Sequence, residues 1–204
     1  MHGPANKQQL HTLTALKSAF CSKISVGFSH TVVLTNGGAI WTKGENKYGQ
    51  LGDRTKITRT YFVLVMTQGV KIVAAGSFHT AAVKKDGSLW CTGMNHFGQL
   101  GDDTQHKIRT RFIQIIPEGV KNVATGSLHT VVLKMDGSVW TTGSNQYGQL
   151  GDGTRESISY SFKQVITGDV RSVAASGFHT MLLKTDGSVW AAGKNDLFQL
   201  GDGT

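Results

Sequence analysis

A repeat of about fifty residues is the feature that most constrains how this 204-residue chain can fold. Three landmarks return four times in the same order: a histidine followed by threonine, a tryptophan and a leucine. Successive copies of each landmark are 49, 50 and 50 residues apart. The landmarks are His30, His79, His129 and His179; Trp41, Trp90, Trp140 and Trp190; and Leu51, Leu100, Leu150 and Leu200. A period of this length is typical of solenoids and propellers.

Each repeat predicts four short β-strands. The first is a stretch at 70–76 that ends in small residues, with equivalents at 21–27, 120–126 and 170–176. The second strand follows the His-Thr pair, the third carries the tryptophan, and the fourth is a run such as 61–66 or 111–116. Four short strands per repeat without helical periodicity predict an all-β protein.

A tight turn is predicted between the second and third strands of each repeat. Its sequence is Asp-Gly at 86–87, 136–137 and 186–187, and Asn-Gly at 36–37 in the first repeat. Asn-Gly and Asp-Gly between apolar strands are strong hairpin signals, because both central residues of the favoured turn have positive φ. We therefore expect a two-residue hairpin in every repeat.

The assembly of the repeats follows from the two faces of each sheet. A lone four-stranded sheet can cover neither face, whereas a radial arrangement buries both and leaves only short edges exposed. Small residues such as Ala74 and Ala75 suit a first strand near a central axis, and the bulky tryptophans suit positions further out. The predicted fold is a β-propeller of four-stranded antiparallel blades.

The predicted organisation is an N-terminal segment, 1–19, followed by repeats at 20–69, 70–119, 120–169 and 170–204. The last repeat is about fifteen residues short, so it lacks its fourth strand. Residues 10–16, LHTLTAL, stand where a fourth strand would precede the first repeat. Two alternatives remain open at this point. In one, residues 10–16 close a small ring of about four blades; in the other, the repeats form an open arc that is a fragment of a longer propeller.

The loop after the third strand carries a family resemblance. Residues 93–102, GMNHFGQLGD, return as GSNQYGQLGD at 143–152. Together with GSFHT at 76–80 and DGSLW at 86–90, they closely resemble the regulator of chromosome condensation repeat from about Phe20 to the end of the chain. The resemblance implies a propeller, and because members typically have seven blades, this chain would supply about four. The fourth repeat departs from the pattern with Leu197-Phe198, so we expect a strained or differently shaped loop there.

The four histidines invite a metal-site hypothesis, since imidazole is a common metal ligand. They fall one per predicted blade, however, and no cysteine or carboxylate recurs beside them at ligand spacing. We predict hydrogen-bonded core histidines, core tryptophans and no cofactor. Plant ultraviolet-B receptors resemble this family, but their Gly-Trp-Arg-His-Thr motif is absent because Phe78 and Leu128 precede the histidines. Photoreception is therefore not expected.

Basic residues in the variable loops are the strongest functional signal. The formal charge is +8, and the loops of the third repeat hold only Arg155 against Glu156. Equivalent loops of successive blades emerge on one face, so the first two repeats predict a basic patch for an acidic protein, nucleic acid or chromatin. The patch comprises Arg54, Lys56, Arg59, His106, Lys107, Arg109 and Arg111. The alternative is ordinary solvation, favoured by the lack of an aromatic platform beside these charges.

No catalytic motif accompanies the repeats: we find no nucleophile elbow, phosphate-binding loop, zinc signature or paired carboxylates. The sequence predicts a non-enzymatic scaffold for a protein partner. The resemblance implies an alternative, guanine-nucleotide exchange on a Ran-like small GTPase, although the regular spacing leaves no room for the inserted wedge that family analogy requires. A third reading, inhibition of an extracellular enzyme, is disfavoured because residues 1–20 contain no apolar signal stretch.

The lengths of the apolar runs and the number of cysteines indicate the cellular setting. No apolar run approaches the ~18 residues that span a bilayer, and Cys21 and Cys91 make no disulfide framework. We expect a cytoplasmic or nuclear protein without membrane association.

Overall fold

Fifteen β-strands and no helix make up the part of the chain that the computed structural model describes, residues 21–154 and 156–203. The strands are β1 (Cys21–Val26), β2 (His30–Thr35), β3 (Ile40–Gly44), β4 (Arg59–Met66), β5 (Val70–Ala75), β6 (His79–Lys84), β7 (Leu89–Met94), β8 (Ile108–Ile116), β9 (Val120–Thr125), β10 (His129–Lys134), β11 (Val139–Ser144), β12 (Ile158–Ile166), β13 (Val170–Ser176), β14 (His179–Lys184) and β15 (Val189–Gly193).

The strands form four antiparallel sheets in which each strand pairs with its neighbours in sequence. Blade one is β1–β4, blade two β5–β8 and blade three β9–β12, whereas the described part of blade four has three strands, β13–β15. Within residues 21–203, the four described sheets do not close into a ring. The predicted all-β propeller architecture is confirmed as an open arc, and the predicted closing strand at 10–16 lies outside the described residues.

The first strand of each sheet lies innermost. The first strands of neighbouring blades contact one another, and their carboxyl-terminal ends line an open cavity of about 300 Å³. Small residues occupy this lining, among them Ala75, Gly76, Gly126 and Ala175. Bulky side chains would not fit where several strands converge on one axis, so the size of these residues selects the inner position.

The tryptophans lie at the margin of the core, where Trp90 and Trp140 pack against the buried apolar clusters. Trp41, Trp90 and Trp140 are half-buried, and Trp190 is 50% exposed. Each ring of the last three carries a lysine amino group over it, as Lys84 Nζ lies 4.0 Å from the Trp90 centroid. The indole Nε1–H donates to a serine two residues earlier, as Trp90 does to Ser88. A ring with one polar edge and one cation above it is more stable at the margin of the sheet than at its centre.

The hairpins between second and third strands also differ from the prediction. The Gly87 amide donates to the Lys84 carbonyl, and only the glycine has positive φ, at 85°. The loop therefore has three residues, a type I turn followed by a left-handed glycine. In blade one the left-handed residue is Gly38, at 81°, so the predicted Asn36-Gly37 turn was misplaced by one residue.

The Gly-Gln-Leu-Gly-Asp loops of blades one and two pack on the fourth strand of the following blade. A Cβ placed on Gly49 of blade one would lie 2.7 Å from the Arg109 carbonyl oxygen in β8 of blade two. A Cβ on Gly52 would lie 2.6 Å from the Phe112 ring. These glycines are required because the neighbouring backbone and ring leave no room for a side chain. The leucines of these loops, Leu51, Leu100 and Leu150, are buried between the sheets.

A ladder of histidine and threonine side chains joins each blade to the next. His30 Nε2 lies 2.9 Å from Thr80 Oγ1, His79 lies at the same distance from Thr130, and His129 lies 3.0 Å from Thr180. Each of these hydroxyls also donates to a glutamine carbonyl of the preceding blade, at 2.6–2.7 Å. A hydroxyl has one proton, so the histidine must be the donor, which assigns the proton to Nε2.

The other ring nitrogen of each ladder histidine is buried and unpaired. Nδ1 of His30, His79 and His129 has no hydrogen-bond partner, and each ring lies against a glycine of its own blade. Burial lowers the pKa of His79 to about 3, and His129 and His30 lower it further. Burial likewise lowers the pKa values of His30 and His129 to about 4. The three imidazoles are therefore neutral at physiological pH.

The ladder requires glycine at position 76. A Cβ there would collide with the His79 ring and lie 2.6 Å from the Gly126 carbonyl oxygen. We predict that Gly76→Ala lowers the free energy of unfolding by about 1–3 kcal/mol through overpacking. Gly37→Ala is the matched control, because its φ is not positive and its nearest neighbour lies 3.8 Å away. Urea unfolding measures both; equal losses in the two variants would contradict the account.

The depressed histidine pKa values predict acid sensitivity. An unfolded histidine binds a proton below its ordinary pKa of about 6.5, whereas the folded ladder histidines do not until about pH 4. The stability that depends on neutral ladder histidines is thus fully present above pH 6.5 and is lost as the pH falls towards 4. From pH 7 to 5 the three together should lower the free energy of unfolding by roughly 5 kcal/mol. Urea unfolding at both pH values tests this, and His79→Gln should remove about a third of the change.

Candidate protein-interaction face

The turns and loops that vary most in sequence emerge at one end of every sheet. In blade one, His30 at the start of β2 pairs with Gly44 at the end of β3, and Gly44 pairs with Arg59 at the start of β4. The β1–β2 turn and the β3–β4 loop therefore leave the same end, and the equivalent pairs in blades two and three repeat this arrangement. We call this end of the arc the loop face.

An aromatic rim occupies the loop face near the mouth of the axial cavity. In blades one and two, Tyr48 lies with its ring centroid 5.3 Å from Phe78 and 5.9 Å from His96. Phe28, which is 78% exposed, lies 5.8 Å from Phe78. In blades three and four, Tyr147 and Phe178 are 5.3 Å apart. We define the aromatic rim as these six residues, Phe28, Tyr48, Phe78, His96, Tyr147 and Phe178.

Cationic side chains accompany the aromatic rim. Lys47 Nζ lies 5.5 Å from the Tyr48 centroid, and Lys194 Nζ lies 5.2 Å from that of Tyr147. Burial lowers the pKa of His96, and the charge of Lys107 lowers it further. The positive charge of Lys107 therefore acts on one residue of the aromatic rim.

Two of the predicted patch residues are engaged within their own loops. Arg59 Nε lies 2.7 Å from Asp53 Oδ2, and Arg109 Nε lies 2.7 Å from Asp102 Oδ2. Both carboxylates also accept from an asparagine and a threonine of the loop, as Asp53 does from Asn46. Burial would raise the pKa of Asp53, but hydrogen bonds from Thr55 and Arg59 outweigh it and lower that pKa. Arg59 and Arg109 thus brace the loops.

The other five predicted patch residues are exposed: Arg54, Lys56, His106, Lys107 and Arg111. We call them the basic loops. The structure brings the first and last of them to one seam, because the Arg54 amide donates to the Thr110 carbonyl at 2.7 Å and Asp53 bridges to Arg111. The patch therefore spans the junction of blades one and two. In the third repeat, Glu156 instead pairs with Lys163 at 3.0 Å.

The aromatic rim is the feature that the sequence interpretation missed, since no aromatic platform was expected beside the charges. The signal was present in the repeat register. An aromatic residue precedes the histidine at Phe78 and Phe178, and another precedes a loop glycine at Tyr48, Phe97 and Tyr147. These positions lie far apart in sequence. They converge only because, in every blade, the turn between the first and second strands and the loop after the third strand leave the same end of the sheet.

Within the described ranges, no group of three or more histidine, cysteine or acidic side chains is placed to hold a metal ion. His30, His79 and His129 lie one to a blade in the ladder, and His179 is half-buried at the open end of blade four. Burial raises the pKa of the Cys91 thiol, so this buried cysteine stays protonated. The described part of the chain contains no helix long and apolar enough to cross a membrane.

Comparison with known proteins places these observations in a family. The model of the regulator of chromosome condensation (RCC1) repeat matches residues 37–83, 86–133 and 136–183, and a second model of the same repeat matches 21–50, 70–99, 120–149 and 170–199. The ultraviolet-B receptor UVR8 of Arabidopsis thaliana is 48% identical over 42 residues, which are 21% of this chain and 10% of that protein.

Solved structures show the same fold at low identity. Prp20p from Saccharomyces cerevisiae aligns with a TM-score of 0.81 and 21% identity, over 93% of this chain and 49% of that one. Human WBSCR16 aligns with a TM-score of 0.75 and 24% identity, over 85% of this chain and 47% of that one. The chain thus spans about half the length of these structures. With its four matched repeats and its antiparallel blades, it belongs to the regulator of chromosome condensation repeat family.

Proposed function

We propose that this chain is a non-catalytic protein-interaction scaffold whose loop face binds an acidic protein segment carrying aromatic or aliphatic side chains. The observation that carries the proposal is the shared location of the aromatic rim and the basic loops at one end of the arc. Aromatic residues and arginine are enriched at the centres of protein interfaces. Positive charge around them would steer an acidic partner and favour its correct orientation.

We propose a non-catalytic role because the ladder histidines and the loop aspartates are engaged in structural hydrogen bonds. The ladder histidines are buried and donate to threonines, so they are not available to a substrate. The carboxylates of Asp53 and Asp102 are tied to Arg59 and Arg109. The loop face instead offers rings and cations that need only contact a partner.

Binding of synthetic acidic polymers tests the proposal. We expect a random copolymer of glutamate and tyrosine to bind more tightly than poly-glutamate of the same length, because only the copolymer can contact the aromatic rim. Replacing Tyr48 and Tyr147 with serine should remove this preference and weaken copolymer binding about tenfold, as loss of central aromatic contacts does. Fluorescence anisotropy measures both. Equal affinity for the two polymers, or tighter binding of oligo-thymidylate, would count against an acidic protein partner.

Charge variants separate the basic loops from the overall charge. Arg54, Lys107 and Arg111 replaced together by serine should weaken copolymer binding and flatten its salt dependence. The matched control replaces Lys85, Lys121 and Arg171, which are exposed towards the opposite end of the sheets and change the net charge by the same amount. Identical losses in the two triple variants would show that only net charge matters and would contradict a defined patch.

A second candidate is guanine-nucleotide exchange on a Ran-like small GTPase. It is supported by the fold shared with Prp20p, a protein whose structure was reported with its binding to Gsp1p and histones. Exchange would use the same loop face, but the β3–β4 loop of blade one and the β7–β8 loop of blade two carry no inserted element. Release of fluorescent GDP from a Ran-type GTPase distinguishes the two. We expect no acceleration; acceleration by substoichiometric protein that is lost on replacing Tyr48 and Tyr147 would favour exchange.

A further inference from the structure

Arg54 has a backbone conformation that favours glycine. Its φ is 67°, and the same position of the third and fourth repeats is Gly153, at 72°, and Gly203, at 80°. In the second repeat it is Asp103, at 54°, but aspartate is one of the few residues that tolerate this region. An arginine has no such compensation, so Arg54 is strained where glycine would be relaxed. Strained residues of this kind cluster at ligand-binding positions.

A hydrogen bond between blades fixes the backbone of Arg54. Its amide donates to the Thr110 carbonyl in β8 of blade two at 2.7 Å, and the preceding residue, Asp53, forms a β-bridge with Arg111. Two arginines from different blades are thereby mounted on one seam. A side chain on a fixed backbone loses less conformational freedom on binding than one on a mobile loop.

Neither arginine of this seam has an internal counter-ion. Arg54 and Arg111 are exposed, and neither makes an ion pair within the described part of the chain. The nearby carboxylate of Asp53 is only 6% exposed and already binds Arg59. Like charges on neighbouring strands repel each other. The seam therefore offers positive charge to an anion from outside the chain.

The next seam along the arc carries the opposite charge on the same backbone arrangement. The Asp103 amide of blade two donates to the Tyr160 carbonyl at 3.1 Å, and Asp102 forms a bridge with Ser161. Asp103 is exposed, and Ser161 stands where blade two has Arg111. A carboxylate there repels an anion that the first seam attracts, and repulsion at a competing site is a source of specificity.

The choice of arginine indicates the kind of anion. A guanidinium group is a planar fork that binds phosphate or carboxylate through two parallel hydrogen bonds, whereas the lysine ammonium is a point charge. A phosphoryl group on a side chain carries a charge of about −1.5 to −2 at neutral pH and has three strong acceptor oxygens. It can thus engage both guanidinium groups of the seam, whereas one carboxylate matches a single arginine.

We propose that Arg54 and Arg111 bind a phosphorylated side chain of the acidic partner, and that Asp103 keeps this group away from the neighbouring seam. The inference rests on the proposed function and adds a chemical feature to the partner. It also accounts for the strain at Arg54, since glycine in its place would remove one of the two forks.

Phosphorylation of the glutamate–tyrosine copolymer tests the proposal on the full 204-residue chain. We expect the copolymer phosphorylated on tyrosine to bind roughly tenfold more tightly than the unmodified copolymer, because charge-assisted hydrogen bonds form to the added group. Fluorescence anisotropy at fixed ionic strength measures both affinities. We call the ratio of the two dissociation constants the phosphate preference.

Arg54→Lys separates recognition of phosphate from charge. The substitution keeps the positive charge but removes the fork, so the phosphate preference should fall to about twofold or less. Arg171→Lys is the matched control, because Arg171 is exposed in β13 towards the opposite end of the sheets. The control should leave the phosphate preference unchanged.

Arg54→Gly separates a binding role from a structural one. Glycine adopts the observed φ without strain, so the urea midpoint should not fall, whereas the phosphate preference should again fall to about twofold or less. A lower midpoint together with an unchanged preference would show that Arg54 has a structural role and would overturn the proposal.

A phosphate preference that both Arg54 variants remove and Arg171→Lys keeps would support the proposal. No preference in the unaltered chain would overturn it, and the proposed function would still stand if the unmodified copolymer bound more tightly than poly-glutamate. Equal preference in Arg54→Lys and Arg171→Lys would also overturn it, because charge alone would then explain binding. So would tighter binding of oligo-thymidylate than of the phosphorylated copolymer, which would assign the seam to nucleic acid.

Discussion

The packing of these sheets is fixed by a threonine hydroxyl of one blade that makes two hydrogen bonds to the preceding blade. It accepts from a histidine of that blade and donates to one of its backbone carbonyls. Thr130, for example, is bonded to His79 and to the Gln99 carbonyl, and both lie in blade two. The bond is short, buried and directional, so it sets the distance and register between blades in a way that apolar contact alone does not. The apolar clusters on either side, such as Val123 and Val132 against Leu89, are then packed around a defined polar contact.

Several other features of the sequence are consequences of the ladder. The ring of each ladder histidine needs a flat surface on its Nδ1 side, which explains the glycines at 27, 76 and 126. The loop glutamines supply their carbonyls to the threonines, while their side chains accept from the loop amides at Tyr48, Phe97 and Tyr147. The loop that positions the aromatic rim is therefore held by the same residues that join the blades. A rigid support of this kind suits a surface that binds by contact.

Much of the architecture could be predicted because the repeat carries the same information four times. The strand order and the inner position of the small-residue strand follow from side-chain size and spacing. The hairpin of blade one was misplaced because Asn36-Gly37 mimics a two-residue turn, whereas Gly38 is the residue with positive φ. The tryptophans were assigned to the core by size alone, although the ring can satisfy its N–H and stack with lysine at the sheet margin. Phe198 was expected to strain its loop or change the loop's shape, and it is strained, because it adopts at φ 60° the left-handed conformation that favours glycine.

The candidate site was predictable only in part, because charge is visible in sequence but its pairing is not. Arg59 and Arg54 look alike as loop residues, yet the first is bonded to a nearly buried aspartate and the second is exposed. The aromatic rim depends on which strand ends coincide, and that is a property of the assembled sheets.

Nitrogen-15 NMR of the histidine side chains tests the central claim most directly, since it reports both the protonated nitrogen and the pKa of each ring. The account predicts that His30, His79 and His129 carry their proton on Nε2 and show no titration above pH 5. Protonation on Nδ1, or titration near the ordinary histidine pKa, would mean that the blades are not joined as described.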